Sequence, residues 1–349
     1  MKKILQALLL IVFQLSLAQN TFKASFENSI RPSKEQIRID VSDDLGNTGY
    51  LPVSIVKGST KGPIFTIIAG VHGFEYPPII ATQQLLQEID TAKLKGTLIF
   101  IPIANRGSFY SRTPFMNPQD NVNLNSAFPG NSTGTITQRL ANVITKNIIP
   151  VTDVLLDIHG GDAPEDLLSF ICYYDNKNRP KQTKKARELS EKSGFEYVVS
   201  YPYTIADNEP AKYTFKQAVQ DGKVGLSMES GKLGNVHEEA VALIKNGVYN
   251  ILAEMNMYGH STLHSPNFTK LNDQVYISSK VQGIFYSSYK AGDFVTEGEL
   301  IGYTTDEFGT VIEEYKASKT GIILYMLKTP PVNIGDTVMC LSSYLKENE

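Results

Sequence analysis

Two apolar runs, each ending in a histidine beside glycine, constrain this chain more than any other feature. The first, Ile64-Phe65-Thr66-Ile67-Ile68-Ala69, passes into Gly70-Val71-His72-Gly73-Phe74-Glu75. The second, Leu155-Leu156-Asp157-Ile158, passes into His159-Gly160-Gly161-Asp162. Short apolar runs bounded by glycine read as buried strands. A strand that ends in glycine throws its next residues onto a sheet rim, where α/β enzymes place their chemistry. His72 and Glu75 are three apart, so in a tight turn or a first helical turn both side chains converge on one point. Two strand-end histidines then predict one site assembled from neighbouring strands. An imidazole and a carboxylate suit a borderline cation such as Zn²⁺, which takes N, S or O ligands in a tetrahedron. Asp157, two residues before His159, is placed either to orient that imidazole from behind or to cap the following turn.

The rest of the chain alternates strand and helix patterns as far as about residue 257. Leu51–Val56 and Leu98–Ile103 read as strands, and residues 79–89 and 137–148 have helical apolar spacing. Pro77 and Pro78 suit a helix start. Residues 104–135 are rich in Asn, Pro, Gly and Arg and lack regular periodicity; so long an irregular insertion inside a compact domain is usually functional. Residues 180–193 read as a solvated polar helix. Strand 223–228 leads into Glu229-Ser230-Gly231, a third strand end with an acidic residue near glycine. Residues 236–257 follow as an amphipathic helix, with Asn235 as its N-cap and His237 facing solvent. This alternation predicts an α/β fold, a mixed sheet flanked by helices. Beyond a boundary near 260–272 only short strands and turns remain, which predicts a small all-β module. The expected organisation is 1–18, 19–262 and 263–349.

Residues 1–18 form the first of these parts. Lys2 and Lys3 precede an apolar run from Ile4 to Leu17, and Ser16-Leu17-Ala18 supplies small residues for cleavage near Ala18. This is the pattern of a secretory signal peptide, and it predicts export to the periplasm or beyond. The run is shorter than the ~20 residues a membrane-spanning helix needs, so no stable membrane insertion is expected after cleavage. The net charge of −3 gives no footprint for nucleic acid. Cys172 and Cys340 are the two cysteines. Cys172 lies in an apolar run and reads as a buried thiol, and whether the two pair is left open.

With these motifs in order, the chain resembles the succinylglutamate desuccinylase/aspartoacylase family of the zinc carboxypeptidase-like group. The resemblance rests on Gly-Val-His72-Gly-Phe-Glu75, the 105–130 segment, Asp157-Ile-His159-Gly-Gly and Glu229-Ser-Gly, and it covers about residues 45–345. It implies that His72, Glu75 and His159 hold one Zn²⁺, that Glu229 is the general base, and that Arg112 polarises the scissile carbonyl. Asp120-Asn-Val-Asn123-Leu-Asn125-Ser126-Ala-Phe-Pro-Gly130 matches the family's substrate segment, which makes Asn123 and Asn125 candidate substrate-binding residues. Ser126 stands where the family has an arginine that clamps a carboxylate, and a hydroxyl cannot replace a bidentate cation. Arg106, Arg139 or Lys232 is then the candidate to supply the charge, with Arg106 placed among the substrate-binding residues.

The tail resembles the barrel-sandwich module of lipoyl and biotinyl domains, in Ala291-Gly-Asp-Phe-Val and Ile334-Gly-Asp-Thr-Val338. The hairpin Asp306-Glu307-Phe308-Gly309 has no lysine to modify, so no prosthetic group is expected, and the module would narrow the mouth of the zinc site. His260 and His264 fall in the linker. The resemblance implies a hydrolase of an amide or ester bond, acting on a small acylated amino acid or a short peptide. A carboxypeptidase or amidase acting on peptides is the alternative enzyme, and a non-catalytic zinc-binding relative is the alternative from another class.

Overall fold

A computed structural model describes residues 21–202, 204–259 and 267–345. The expected signal peptide, His260 and His264 lie outside the described residues. Residues 21–28 are helical (α1). Ten-residue strands β1 (Ser33–Ser42), β2 (Thr48–Lys57) and β3 (Thr60–Ala69) follow, then α2 (Tyr76–Glu88), β4 (Lys95–Ile101) and α3 (Arg106–Ser111). A two-residue ladder, β5 (Met116–Asn117) with β6 (Val122–Asn123), leads to α4 (Ile136–Val143). Next come β7 (Val154–His159), β8 (Glu165–Leu167), β9 (Phe170–Tyr174), α5 (Pro180–Lys192), β10 (Tyr197–Tyr201), α6 (Thr214–Gln220), β11 (Val224–Glu229) and α7 (Glu238–Glu254). The tail holds β12 (Thr269–Ser278), β13 (Gly283–Tyr286), β14 (Phe294–Val295), β15 (Leu300–Thr305), β16 (Val311–Lys316), β17 (Gly321–Leu327), β18 (Pro331–Val332) and β19 (Thr337–Tyr344).

The main sheet is mixed, in the order β1-β2-β4-β3-β7-β11-β9-β10-β12-β19-β17-β14, with β8 paired to β17. Its centre is parallel: β4, β3, β7 and β11 run side by side in one direction. β7 is buried along its whole length, as a strand covered on both faces must be, which is why it reads as a continuous apolar run rather than an alternating one. Ile68, Ile99 and Leu155 face one apolar layer under α4 and α6; Phe65, Ile67, Leu98 and Leu156 face the other, under α2, α5 and α7. The α/β expectation therefore holds, and the parallel centre aligns the carboxyl ends of β3, β7 and β11 along one rim.

Only part of the tail forms a sheet of its own. β12 pairs parallel to β10, and β19 and β17 extend the main sheet from there. A second four-stranded sheet, β16-β15-β13-β18, completes the antiparallel β module. Phe285, Ile301, Tyr315 and Val332 from that sheet share a core with Val338 and Leu341 of β19. The sheet extension follows from long-range pairing, which alternation within a short segment does not encode.

Several local expectations need correction. The 104–135 segment contains the helix α3, whose start Asn105 caps by accepting a hydrogen bond from Ser108 N at 3.1 Å. Helix 137–148 is α4 followed by a π turn over Ile144–Ile148. The last long helix starts later than expected, with His237 and not Asn235 at its N-cap; Asn235 N donates to Lys232 O in the turn before it. His237 is half-buried rather than solvent-facing. No helix among the described residues is long and apolar enough to cross a membrane.

Candidate metal centre and cleft

The end of β3 turns abruptly. Gly70 has φ +65°, and a Cβ there would lie 2.9 Å from Ile103 Cα. Gly73 is pressed against Thr113 O, which a Cβ would meet at 2.2 Å. Only glycine fits both places, so His72 is held between two backbone close approaches. The turn then enters α2, with Glu75 as its N-cap residue. An acidic N-cap ordinarily accepts from the helix's own amides, but the Glu75 side chain makes no such bond. It faces the histidines instead.

His72 Nδ1 lies 2.5 Å from Glu75 Oε1, and His159 Nδ1 lies 3.0 Å from Glu75 Oε2. Ligand atoms of the three residues all fall within 4.8 Å of one another, and all three side chains are buried. Each imidazole is also held from behind. His159 Nε2 lies 3.1 Å from Asp157 Oδ1, and His72 Nε2 lies 3.2 Å from Asn123 Oδ1. A carbonyl or carboxylate on Nε2 fixes that nitrogen as the N–H, leaving the Nδ1 lone pair for a cation. Asp157 is fully buried beside His159.

Electrostatics at the cluster follow from burial and mutual charge. Burial disfavours charge on His72, but Glu75 overrides it and raises its pKa. The same opposition at His159, with Asp157 and Glu75 both attracting the proton, holds its pKa well above the ordinary 6.5. Burial pushes the Glu75 carboxyl up, yet the two histidines outweigh it and hold it down at about 2. Glu229, paired in register with His159 across β7 and β11, goes the other way. Burial, reinforced by Glu75, Glu165 and Asp157, raises its pKa well above the carboxylate range, against the pull of His159. Asp162 is raised to about 7 by burial and by Glu75. So many carboxylates around two imidazoles leave room for a cation that would favour their charged forms.

The cluster opens into a cleft of about 260 Å³, just below the ~300 Å³ lower end of small-ligand pockets. His72, Glu75, His159, Glu229 and Asn125 line it. Asn125 Oδ1 is buried and has no hydrogen-bond donor among the described residues, so it offers a substrate N–H a place to bind. The tail reaches the cleft through Tyr276 of β12 and Tyr325 of β17.

Three residues expected at the substrate do not line the cleft. Asn123 turns to His72 Nε2, 3.2 Å away, and accepts from Asn125 N at 2.8 Å, and so braces that imidazole and the loop instead. Arg106 stacks over Tyr50, 3.8 Å from the ring centroid, and over Tyr110 at 5.0 Å; the two rings hold its guanidinium outside the cleft. Arg112 stands exposed at the left-handed C-cap of α3, φ 52°, where its amide closes the helix onto Phe109 O and Ser108 O. That turn leaves its side chain in solvent, while Phe115, three residues on, does line the cleft. Sequence reasoning also passed over residues that the structure brings in. Lys216, Cys172 and Glu165 all line the cleft. Cys172 and Cys340 are buried free thiols, and burial pushes the Cys172 thiol up.

Comparison with known proteins adds to this geometry. The profile described as "Succinylglutamate desuccinylase/Aspartoacylase catalytic domain" matches residues 61–255. N-alpha-acetyl-L-2,4-diaminobutyric acid deacetylase of Halomonas elongata is 28% identical over 323 residues, spanning 89% of this chain and 91% of that protein. A product-bound structure of the ectoine utilization protein EutE (DoeB) from Ruegeria pomeroyi superposes with TM-score 0.80 at 22% identity, covering 90% of this chain and 96% of that one. A succinylglutamate desuccinylase from a Silicibacter species gives TM-score 0.79 at 23% identity, with 90% and 95% covered. At such identities the two structures attest the fold.

Proposed function

This chain belongs to the succinylglutamate desuccinylase/aspartoacylase family, and from that premise we propose that it is a zinc-dependent hydrolase that removes the acyl group from the nitrogen of an amino acid or related amine. One observation carries the reading: ligand atoms of two histidines and a carboxylate lie within 4.8 Å of one another, with each Nδ1 turned to the carboxylate and each imidazole anchored through its other nitrogen. That donor set fits Zn²⁺, with His72, Glu75 and His159 as the three protein ligands and a fourth position open. When bound, the ion supplies a water whose pKa is lowered toward ~7 and a Lewis acid for the scissile carbonyl. The relative from Halomonas elongata, named as a deacetylase of an acetylated diamino acid, favours an N-acyl amino acid as substrate.

The chain's own residues do the rest. Glu229 takes a proton from the attacking water as its oxygen bonds to the carbonyl carbon. It then returns that proton to the nitrogen as the C–N bond breaks, releasing an amine and a carboxylic acid. Asn125 Oδ1 accepts the N–H of the substrate. Asp157 and Asn123 hold the imidazoles in the tautomer that ligation needs. Tyr276 and Tyr325 wall the mouth, the part we assign to the β module of residues 263–349. Export belongs to the same proposal and rests on the composition of residues 1–18.

Zinc and N-acyl hydrolysis are tested together. The purified protein is expected to hold about one zinc per chain and to turn over at least one N-acetyl or N-succinyl amino acid. A chelator should abolish that turnover and added zinc restore it. Full activity after the metal has been stripped would sink the reading.

The pKa shifts give a second, thermodynamic check. The Glu75 value is depressed from the ordinary 4.5 to about 2, so its stabilisation is present above 4.5 and lost as pH falls towards 2. The histidine values are raised above 6.5, so in the metal-free protein their stabilisation is full below 6.5 and lost as pH rises through the raised values. Metal must displace those same protons. The thermal-midpoint gain on adding zinc is therefore expected to widen between about pH 6 and pH 8. Scanning fluorimetry with and without zinc measures it, and a gain that shrinks with pH would contradict the assignment of the ligands.

A further inference from the structure

Position 126 lacks the cation that the substrate segment would otherwise supply. Ser126 is exposed, and its Oγ donates to Asn123 O at 2.9 Å. None of the basic residues expected to replace it lines the cleft. Arg106 is stacked between two tyrosines. Arg139 donates to Gly134 O and Ser42 O and pairs with Asp44 at 2.9 Å. Lys232 pairs with Asp166 at 3.1 Å. Lys216 does line the cleft, but it is 2% exposed and burial lowers its pKa to about 7, so it sets little standing charge against an incoming cation.

Among the described residues, the acidic ones that line the cleft are Glu75, Glu165 and Glu229. Glu75 faces both imidazoles, and Glu229 stands in register with His159 at the end of β11. Glu165 is used by neither the metal cluster nor the proton transfers. It opens β8, and the chain grips it from several sides. Its amide donates to Asp162 O at 2.9 Å, its carbonyl accepts from Leu233 N at 2.8 Å, and it pairs with Leu327 of β17. Asp166, next to it, pins the strand to the tail by accepting from Ala291 N at 3.0 Å. One oxygen of the Glu165 carboxyl accepts from Asp162 N at 3.0 Å. Among the described residues the carboxyl joins no ion pair. Burial raises its pKa against the bond from Asp162 N, and Glu75 adds to the rise, so the charged form gains when a cation arrives. Phe115, Phe170, Tyr213 and Tyr325 line the same cleft, and aromatic faces also attract a cation.

We propose that Glu165 is the specificity-determining anion of this cleft and that the substrate is the N-acyl derivative of a basic amino acid, whose side-chain cation Glu165 binds. This rests on the deacylase reading above and names the substrate class within it. The shared chemistry is a cation with two possible sources, an alkylammonium or a guanidinium. A held carboxylate forms a charge-assisted hydrogen bond to either, at little ordering cost because the backbone on both sides of Glu165 is already fixed.

The test uses the zinc-loaded full chain and Nα-acetyl amino acids in two pairs of similar shape, ornithine against norleucine and arginine against citrulline. In the parent, at least one pair should favour the cationic member by about tenfold or more in kcat/KM, and the pair that does so names the cation. Glu165→Gln keeps the size of the side chain and an acceptor for Asp162 N but removes the charge. It should cut kcat/KM for the preferred cationic substrate by about 10–100-fold, largely through KM, and change the neutral partner by less than about threefold. Glu165→Asp should retain part of the preference. Zinc per chain should stay near the parent's in both variants. A role confined to bracing the 162–165 turn would instead move both members of a pair together. Equal losses on both members, or no preference for the cation in the parent, would overturn the proposal while leaving the deacylase reading intact. A parent that hydrolyses no N-acyl amino acid at all would remove that reading, and this inference with it.

Discussion

Glu229→Gln is expected to lower kcat/KM on the best N-acyl substrate by about 10²–10⁴-fold, the range over which a positioned general base acts. The amide keeps the size and the hydrogen-bonding reach of the carboxylate but cannot take the water's proton. Glu229 stands outside the His–Glu–His cluster, so zinc per chain should be unchanged. Its place at the end of β11, in register with His159, is fixed by backbone pairing that the substitution does not touch. The thermal midpoint should therefore also stay close to the parent's, or rise, since a neutral amide removes one of several crowded carboxylates. Kinetics and metal analysis on parent and variant decide the matter. A variant as active as the parent would take catalysis away from Glu229. Equal, near-zero rates in both would favour a metal-binding relative that performs no chemistry.

What the sequence made legible was local and strand-bound. Buried parallel strands read as unbroken apolar runs, and glycine is required where chain meets chain at the rim, so β3, β7 and β11 and the residues they deliver could all be located. The resemblance then placed His72, Glu75 and His159 in one set, and the fold brings them together. Residues on loops and short helices were not legible in the same way. Arg112 and Arg106 keep the right neighbours in sequence, but the start and stop of α3 decide where their side chains go, and capping by Asn105 was not anticipated. Lys216 lies in a seven-residue helix, Thr214–Gln220, too short for periodicity to mark a buried face. Lysine on a helix ordinarily reads as solvated. The local hint was the aromatic company of Tyr213 and Phe215. Tyr276 and Tyr325 reach the cleft only because β12 docks on β10 and β17 follows through β19, pairings between segments far apart in the chain.

Removing Glu75 should have the largest effect on the metal itself. In Glu75→Ala, zinc per chain is expected to fall from about one to well below a tenth, and hydrolysis with it. Glu75 is the one acidic side chain of the three, and both its oxygens are engaged, one by each imidazole. Its loss leaves two buried imidazoles without their shared acceptor, at a cost of about 1–3 kcal/mol for each group left unsatisfied. Asp157→Asn makes the informative contrast. It keeps an acceptor behind His159 and removes only charge, so metal affinity or activity should drop by about 10–100-fold. The ranking of the two variants separates ligation from positioning. Far-UV circular dichroism and the thermal midpoint of Glu75→Ala separate metal loss from unfolding; a folded, zinc-poor protein is the expected product. If Glu75→Ala instead retained stoichiometric zinc, the cluster would be an ion-paired core feature, and the metal would have to sit elsewhere.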